Sequence, residues 1–115
     1  MSNDQRPTIY GDGTQSRDFT YVSNVVEGNI LAATKELETP IVMNCATHGQ
    51  VTVNELVEEI NKLVSKNIKP IYDKPRPGEI LHSFAEISLI KNKLSFTPEK
   101  GFIQGLQFTI HSMKQ

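Results

Sequence analysis

The sequence predicts an α/β fold made of short strands and about four helices. Segments with the apolar spacing of helices alternate along the chain with short β-prone segments, and such alternation is typical of the α/β class. Ser, Thr or Asn is followed three residues later by Glu at several places, a spacing that is typical of helix starts. Proline and glycine stand between these segments, where turns are expected.

The first elements follow a glycine turn. Gly11–Gly13 permits positive φ and encloses an aspartate that can cap its own backbone. Asp18–Val22 alternates and is β-prone, so it is predicted to be a short strand. Asn24 and Glu27 have the spacing of a capping box, which predicts that a helix begins here. That helix is expected to end before Pro40.

The later elements show the same signals. Ile41–Ala46 is apolar enough to be a largely buried strand. Thr52 with Glu55, and Ser83 with Glu86, form two further capping-box patterns. The complete predicted order is a strand over 18–22, a helix over 24–37, a strand over 41–46, a helix over 52–66, an edge strand over 69–73, a helix over 83–93 and a helix over 102–113.

These strands are too few and too short to cover the apolar faces of the helices. The first helix is expected to have an apolar face made of Val26, Ile30, Leu31, Ala33 and Leu37. We therefore expect the elements to pack against another domain or another copy of the chain, so self-association is possible. Residues 1–8 are predicted to be a flexible arm, and residues 9–115 to be one structural region.

Composition excludes several classes of protein. The chain has 115 residues, of which 37% are hydrophobic and 22% charged, which argues against disorder. A net charge of −1 gives no electrostatic basis for binding nucleic acid or a membrane. No apolar run approaches the roughly 20 residues of a membrane span. Cys45 is the sole cysteine, so we expect a small buried side chain and a cytoplasmic location.

Several catalytic and cofactor motifs fail. The Gly11-x-Gly13 pattern precedes a strand pattern, whereas a dinucleotide fingerprint opens a helix. No tyrosine has a lysine four positions later, the pairing that short-chain dehydrogenases use for catalysis. Cys45 and His48 supply only half the ligands of a zinc site. No catalytic, cofactor-binding or metal residue is therefore predicted.

Two arginines are the positive signal. Arg17 follows the glycine turn, and Arg76 stands between two prolines in a stiff loop. A guanidinium binds phosphate oxygens through a planar fork of donors, so the pair would suit a diphosphate. Lys74 is a third candidate for the same anion, and Glu79 could accept hydrogen bonds from sugar hydroxyls. The residues alone leave open that both arginines are merely solvated charges.

At these residues the chain resembles the NAD-dependent epimerase/dehydratase family, the extended short-chain dehydrogenases that include UDP-glucose and UDP-N-acetylglucosamine 4-epimerases. Ile9–Val26 is similar to one signature of that family, and Arg76–Ser88 is similar to a second. Asn44 and Thr52–Leu56 resemble the intervening strand and helix. The resemblance extends from about residue 7 to the end of the chain.

The resemblance implies a role for each matched residue. Arg17 and Arg76 would contact the nucleotide diphosphate, and Glu79 would approach the ribose, where the family more often has Asp. Asn24 stands where the family usually has Asp. The family's glycine-rich NAD site and its catalytic Ser/Thr, Tyr and Lys precede the matched region. The chain is therefore expected to be the C-terminal, substrate-binding part of such an isomerase of carbohydrate metabolism, without the Rossmann core.

Three readings of function remain. The first is the nucleotide-sugar-binding part of an NAD-dependent epimerase or dehydratase, inactive alone, whose partners are a UDP-hexose and the missing NAD-binding domain. This chain would bind no NAD itself, although the whole enzyme would. The second is a stand-alone, non-catalytic module that binds nucleotide sugars or proteins. The third is an assembly fragment without a ligand, which would self-associate through exposed strand edges.

Overall fold

A computed structural model describes residue 1 and residues 3–114, and it confirms the α/β class and the number of helices. Each helix is joined to the rest by short strands and long irregular loops. The strands are β1 Thr8–Tyr10, β2 Ser16–Arg17, β3 Val51–Thr52 and β4 Ile71–Asp73. The helices are α1 Val22–Thr34, α2 Val53–Val64, α3 Ser88–Leu94 and α4 Phe102–Met113.

The strands form two small pairs. β1 and β4 are parallel, and Ile9 lies opposite Tyr72. β2 and β3 are antiparallel, and Ser16 lies opposite Thr52. Ser16 also forms an isolated parallel bridge with His82. These pairings bring the N-terminal third of the chain, which contains Arg17, against the loop that follows β4, which contains Arg76.

The start of α2 confirms one predicted capping box. The Thr52 hydroxyl accepts from the Glu55 backbone N–H at 3.1 Å, and the Glu55 carboxylate accepts from the Thr52 N–H at 2.7 Å. The two bonds satisfy donors that a helix start leaves unpaired. The helix ends at Val64, and Ser65 adopts a left-handed φ of 56° beyond it.

The core lies between α1, α3 and the loops beside them. Phe96 and Leu94 are each 1% exposed. Ala46, Ile87 and Ile90 complete the buried cluster. The core is further covered by the half-buried side chains of Leu31, Leu37, Met43, Cys45 and Ala85.

The capping box predicted at Asn24 is wrong. Helix α1 begins at Val22, so Asn24 lies inside the helix and is 2% exposed. Its side-chain amide donates to the Lys100 carbonyl at 2.8 Å, and its oxygen accepts from the Lys100 N–H at 3.2 Å. Asn24 therefore joins α1 to the loop before α4 and does not cap its own helix.

Two predicted strands are also corrected. The strand pairing falls on Ser16–Arg17, and the segment 18–21 leaves it because Asp18 turns toward the loop at Thr47. Residues 41–46 are not in a strand, because the described residues place no neighbouring strand beside them. Val42 in that segment is 96% exposed.

The third predicted capping box fails for a local reason. Helix α3 begins at Ser88, five residues after the predicted start at Ser83. The Glu86 carboxylate accepts from the Ser88 N–H at 2.6 Å and from its hydroxyl at 2.5 Å. The hydrogen bond from the Ser88 hydroxyl, more than any other contact, lowers the pKa of Glu86. Glu86 therefore bonds to the first residue of α3, two positions later, and does not form the predicted box.

The predicted arm makes defined contacts from Asp4 onward. The Arg6 guanidinium donates to the carbonyls of Lys69 and Pro70 at 2.8 and 3.0 Å. The Asp4 carboxylate lies 2.7 Å from the Lys66 ammonium. Thr8 belongs to β1, so the structured region begins before residue 9.

The molecule is a flat slab with an unusually large surface. It measures 51 × 36 × 15 Å, with a radius of gyration of 16.8 Å, against about 13 Å for a compact domain of this length. Its accessible surface is 7927 Å², about a quarter more than the roughly 6,300 Å² typical of a monomer of this mass. The excess lies partly on α1, where Val26 and Ile30 of the predicted apolar face are exposed.

Candidate functional site

An open cavity of about 280 Å³ lies where β1, the glycine turn and the loop after β4 meet. Arg76 and Glu79, two of the predicted site residues, line this cavity. The remaining wall is formed by Tyr10, Gly11, Asp12, Gln15, Pro75, Ile80 and Leu81. The parallel pairing of β1 with β4 brings the two walls together, because each wall continues directly from one strand of the pair.

The glycine turn forms one wall and is held rigidly. Gly11 and Gly13 have φ values of 115° and 79°, which favour glycine. The Asp12 carboxylate accepts from the Thr14 hydroxyl at 2.6 Å and from its N–H at 2.9 Å. These bonds lower the pKa of Asp12, the hydroxyl bond most strongly. The predicted turn is confirmed, and its aspartate stays ionised beside the cavity.

Asn54, at the start of α2, attaches that turn to the helix. Its N–H donates to the Gly13 carbonyl, and its amide donates to the Asp12 carbonyl, both at 3.0 Å. The Tyr72 hydroxyl donates to the Asn54 Oδ1 at 2.8 Å. One side chain therefore connects α2, the turn and β4.

Arg76 lies over an aromatic ring. Its guanidinium carbon is 4.3 Å from the centre of the Tyr10 ring, a cation–π geometry. Pro75 and Pro77 flank it and restrict the backbone. The guanidinium is therefore held at the cavity wall, where its donors can reach an anion in the cavity.

Arg17 is paired with Glu79. The guanidinium lies 3.3 Å from the Glu79 carboxylate, and both side chains are about one-third exposed. The guanidinium also donates to the Ser16 carbonyl at 2.7 Å. A turn at Gly78, where φ is 76°, brings the Glu79 N–H to the Arg76 carbonyl at 3.3 Å. The structure therefore pairs Arg17 with Glu79, and Glu79 and Arg76 line the same cavity. A ribose contact of Glu79 stays a prediction.

Asp18 organises the loops beside the site, and the sequence did not predict this role. Its carboxylate accepts from the Thr47 hydroxyl at 2.5 Å, from the His48 N–H at 2.9 Å and from the Ala85 N–H at 3.3 Å. Three segments that are distant in the chain therefore meet at one carboxylate. His48 has a left-handed φ of 60°, and this places its N–H toward Asp18.

Asp18→Asn should destabilise the chain by about 2 kcal/mol, because an amide nitrogen would face a hydrogen-bond donor. Burial acts to raise the pKa of Asp18, but hydrogen bonds from Thr47 and its neighbours outweigh it and lower the pKa below 3.8. The carboxylate's contribution is therefore complete above that value and is lost as the pH falls through the folded-state pKa.

Urea denaturation from pH 7 to pH 2.5 measures this effect. The gap between the wild type and Asp18→Asn should narrow toward the acid end, because protonation of Asp18 in the wild type removes the contribution of its carboxylate. Asp73→Asn is the matched control, because Asp73 is exposed and its carboxylate accepts a local bond from the N–H of the next residue, Lys74. A gap of equal size at both ends of the pH range would contradict the assigned role.

Sequence reasoning overlooked Tyr10 and Gln15. Tyr10 supplies the ring under Arg76, and its carbonyl accepts from the Gln15 amide at 3.1 Å. Gln15 is 8% exposed and its carbonyl accepts from the Val53 N–H at 3.0 Å. An aromatic residue directly before a glycine turn was the available signal, but the stacking depends on a loop some 65 residues away.

A second, more apolar groove of about 210 Å³ lies between α4 and the segment before α1. Gly105 lets the two approach, because a Cβ there would lie 2.7 Å from the Tyr21 Cβ. Phe19 and Phe102 pack with their ring centres 5.7 Å apart beside it. This groove carries no charged side chain in its wall, so it does not extend the anion site.

The described residues do not fit NAD. The glycine turn at Gly11–Gly13 leads into β2 and not into a helix, so no helix N-terminus is available for the pyrophosphate. The Asn54 side chain fills the space beside Gly13. Among residues 1 and 3–114, no group of three potential metal ligands converges, and no helix is long and apolar enough to cross a membrane.

Comparison with known proteins identifies the family. The sequence model of the GDP-mannose 4,6 dehydratase family matches residues 1–109. The chain belongs to this family. The predicted resemblance to NAD-dependent epimerases and dehydratases, of which the GDP-mannose 4,6 dehydratase family is a part, is thereby confirmed.

Individual members of the family are similar over nearly all of the chain. A putative UDP-glucose 4-epimerase of Methanocaldococcus jannaschii is 34% identical over 99% of the chain, which covers 36% of that relative. The structure of UDP-glucose 4-epimerase from Thermotoga maritima with UDP-glucose is 31% identical, with a TM-score of 0.91 over 99% of this chain and 36% of that one.

A third relative carries a different sugar. UDP-N-acetylglucosamine 4-epimerase from Methanobrevibacter ruminantium, in complex with UDP-N-acetylmuramic acid, is 40% identical, with a TM-score of 0.88 over 97% of this chain and 36% of that one. The chain thus spans about a third of the length of these relatives. Their fold is shared over that third, and their activities belong to the whole enzymes.

Proposed function

We propose that the chain is the nucleotide-sugar-binding part of an NAD-dependent epimerase or dehydratase. Arg17 and Arg76 would hold the diphosphate of a UDP-sugar in the cavity beside the glycine turn. Fixing the diphosphate would leave the sugar in a defined pose for a cofactor held by a separate part of the enzyme. Glu79 and Arg76 line one cavity, and Arg17 is paired with that same Glu79 at 3.3 Å; this arrangement supports the role most directly.

Arg76 is the cation in this cavity that an anion would reach, and it shares the wall with the carboxylates of Asp12 and Glu79. Its guanidinium lies over the Tyr10 ring. Arg17 is neutralised by Glu79 at 3.3 Å, an exposed pair that is worth little in water. A diphosphate, with about two negative charges, could displace the carboxylate from Arg17 at modest cost. Glu79 would then be free to turn toward a ribose.

The surface supports a partner domain. The outer face of helix α1 carries exposed apolar side chains, because Asn24 and Gly28 are buried while Val22, Val26 and Ile30 are exposed. An apolar stripe on a helix normally packs against a core or a partner. The surface exceeds that of a typical monomer by more than the roughly 800 Å² that each partner contributes to a standard interface. The NAD-binding half of the enzyme is the proposed occupant.

Titration with UDP-glucose tests the diphosphate site. Arg17→Ala and Arg76→Ala should each weaken binding by about tenfold to a hundredfold, because each removes charged hydrogen bonds to phosphate. Calorimetry of the whole chain gives both dissociation constants. Arg6→Ala is the matched control, since the Arg6 guanidinium bonds to Lys69 and Pro70 and lies outside the cavity wall.

Equal losses for all three arginine variants would point to a nonspecific charge effect and would argue against the site. No binding by the wild type would remove the proposal for the isolated chain. Retained binding after both cavity substitutions would place the ligand elsewhere.

The docking proposal has its own test. The NAD-binding half of the Thermotoga maritima enzyme, produced separately, should form a complex with this chain, and Val26→Asp should abolish it. Ile103→Asp is the control, because Ile103 is an exposed apolar residue of α4, 42% accessible against 50% for Val26. Light scattering reports the mass of the complex. A complex that tolerates Val26→Asp but not Ile103→Asp would move the interface to α4.

A further inference from the structure

Two loops that carry the site residues are joined at Ser16. The Ser16 N–H donates to the Leu81 carbonyl at 2.8 Å, and the Ser83 N–H donates to the Ser16 carbonyl at 3.1 Å. Ser16 is 3% exposed, so these bonds lie away from water. The segment that ends in Arg17 is therefore attached to the segment that follows Glu79 through both backbone groups of one residue.

A side-chain bond completes this junction. The Ser16 Oγ lies 2.7 Å from the His82 Nδ1. Either tautomer of the imidazole satisfies this bond, because a hydroxyl can both donate and accept. His82 itself is exposed, while the hydroxyl that it satisfies is not. Without the imidazole, a buried hydroxyl would lose its partner, which is costly in a protein interior.

The junction sets the position of Arg17. The Arg17 guanidinium donates to the Ser16 carbonyl at 2.7 Å and approaches the Leu81 carbonyl at 3.5 Å. These two carbonyls are also the acceptors of the backbone bonds that join the loops. Any shift between the two segments would therefore move the guanidinium relative to Glu79 and to the cavity that Arg76 lines.

We propose that His82 is a positioning residue for diphosphate binding, acting through the Ser16 hydroxyl to hold Arg17 beside the loop of Arg76. The inference rests on the proposed function, in which both arginines grip the diphosphate. His82 need not touch the ligand. The imidazole fixes the junction, the junction fixes two carbonyls, and the carbonyls fix the guanidinium.

Two substitutions at His82 separate the effect of its hydrogen bond to Ser16 from the effect of its side-chain volume. His82→Leu keeps the branched shape at Cγ and removes the polar atom that bonds to Ser16. His82→Asn retains a polar atom close to the position of Nδ1. NMR titrations of the full chain with UDP and with uridine are expected to show a five- to tenfold weaker affinity of His82→Leu for UDP, about one hydrogen bond's worth. Uridine affinity should be unchanged, and His82→Asn should restore UDP binding.

Coupling to Ser16 gives the second readout. Ser16→Ala should weaken UDP binding as His82→Leu does, and the double variant should be no weaker than either, because both remove the same bond. Additive losses would overturn the proposal, as would equal losses for UDP and uridine, or failure of His82→Asn to restore binding.

Amide exchange tests the junction without any ligand. In His82→Leu the amide hydrogens of Ser16 and Ser83 should exchange faster, while that of Glu55, bonded to Thr52 in the cap of α2, should not change. If the wild type fails to bind UDP, the proposed function fails and this exchange still decides whether His82 fixes the junction. Unchanged exchange at both serines would overturn the role of His82 whatever the ligand result.

Discussion

Phe96→Ala should lower the free energy of unfolding by about 3–5 kcal/mol, the largest loss expected from a single truncation in this chain. Phe96 is 1% exposed and belongs to the one buried cluster that the described residues form, with Leu94 and Ile90. Removing its ring leaves a cavity that rigid neighbours cannot fill. Its ring also meets α1, since it lies 3.7 Å from the place where Gly28 would carry a Cβ.

Phe84→Ala is the control for this loss. Phe84 has the same side chain, but it is 48% exposed and touches the His48 ring edge-on at 5.0 Å. Its truncation should cost less than about 1.5 kcal/mol. Urea denaturation followed by circular dichroism gives both values under one protocol. Similar losses for the two variants would mean that the cluster around Phe96 is not the centre of stability.

The outcome matters for the site as well. A domain of this size typically has a free energy of unfolding of only about 5–15 kcal/mol. The Phe96→Ala variant would therefore be only marginally stable. The slab has a large surface for its mass, and much of α1 is uncovered. We therefore expect the isolated chain to lie near the lower end of that range, and substitutions at the site must be checked for folding before binding is compared.

The sequence predicted local features of the fold and missed those that depend on distant residues. Thr52 and Glu55 formed the expected capping box because both partners lie within one turn of the chain. Asn24 with Glu27 has the same spacing, yet Asn24 is bonded to Lys100, 76 residues away. No local pattern distinguishes the two cases, since the competing partner is absent from the window that defines the motif.

The strand predicted over 41–46 shows a different limit. Its residues alternate in burial, from half-buried Met43 and Cys45 to exposed Val42 and Asn44. That alternation suits a strand, but backbone pairing needs a neighbour, and the described residues supply none. The alternating pattern indicates that this segment could pair with a sheet, but the described residues supply no strand for it to pair with.

The site was predictable in part because two loops carry strong sequence signals. Arg17 and Arg76 stood out by their glycine and proline neighbours, and the structure brings Glu79 to Arg17. The supporting contacts were not predictable. Asp18 directly follows Arg17, but its carboxylate bonds to the loops at Thr47 and Ala85. Such contacts depend on loop paths that periodicity does not specify.

Gly13→Ala should destabilise the chain by about 3 kcal/mol and distort the cavity wall. The φ of 79° at this position costs a residue with a side chain about 1–2 kcal/mol. The added Cβ would also lie 2.0 Å from the Asn54 Oδ1, so Asn54 would have to move. Its hydrogen bonds with Asp12 and Tyr72 would then be weakened, each worth about 1 kcal/mol.

Gly78→Ala isolates the second part of this effect. Gly78 has nearly the same φ, 76°, but nothing lies within 4 Å of the place where its Cβ would be. Its substitution should cost only the backbone strain, about 1–2 kcal/mol, so the difference between the two variants in thermal denaturation measures the contact with Asn54. Equal losses of stability would mean that the Asn54 side chain moves aside with no measurable cost in free energy. A larger loss at Gly13 would show that the start of α2 and the turn beside Arg76 are one rigid unit, which is what a preorganised grip on a diphosphate requires.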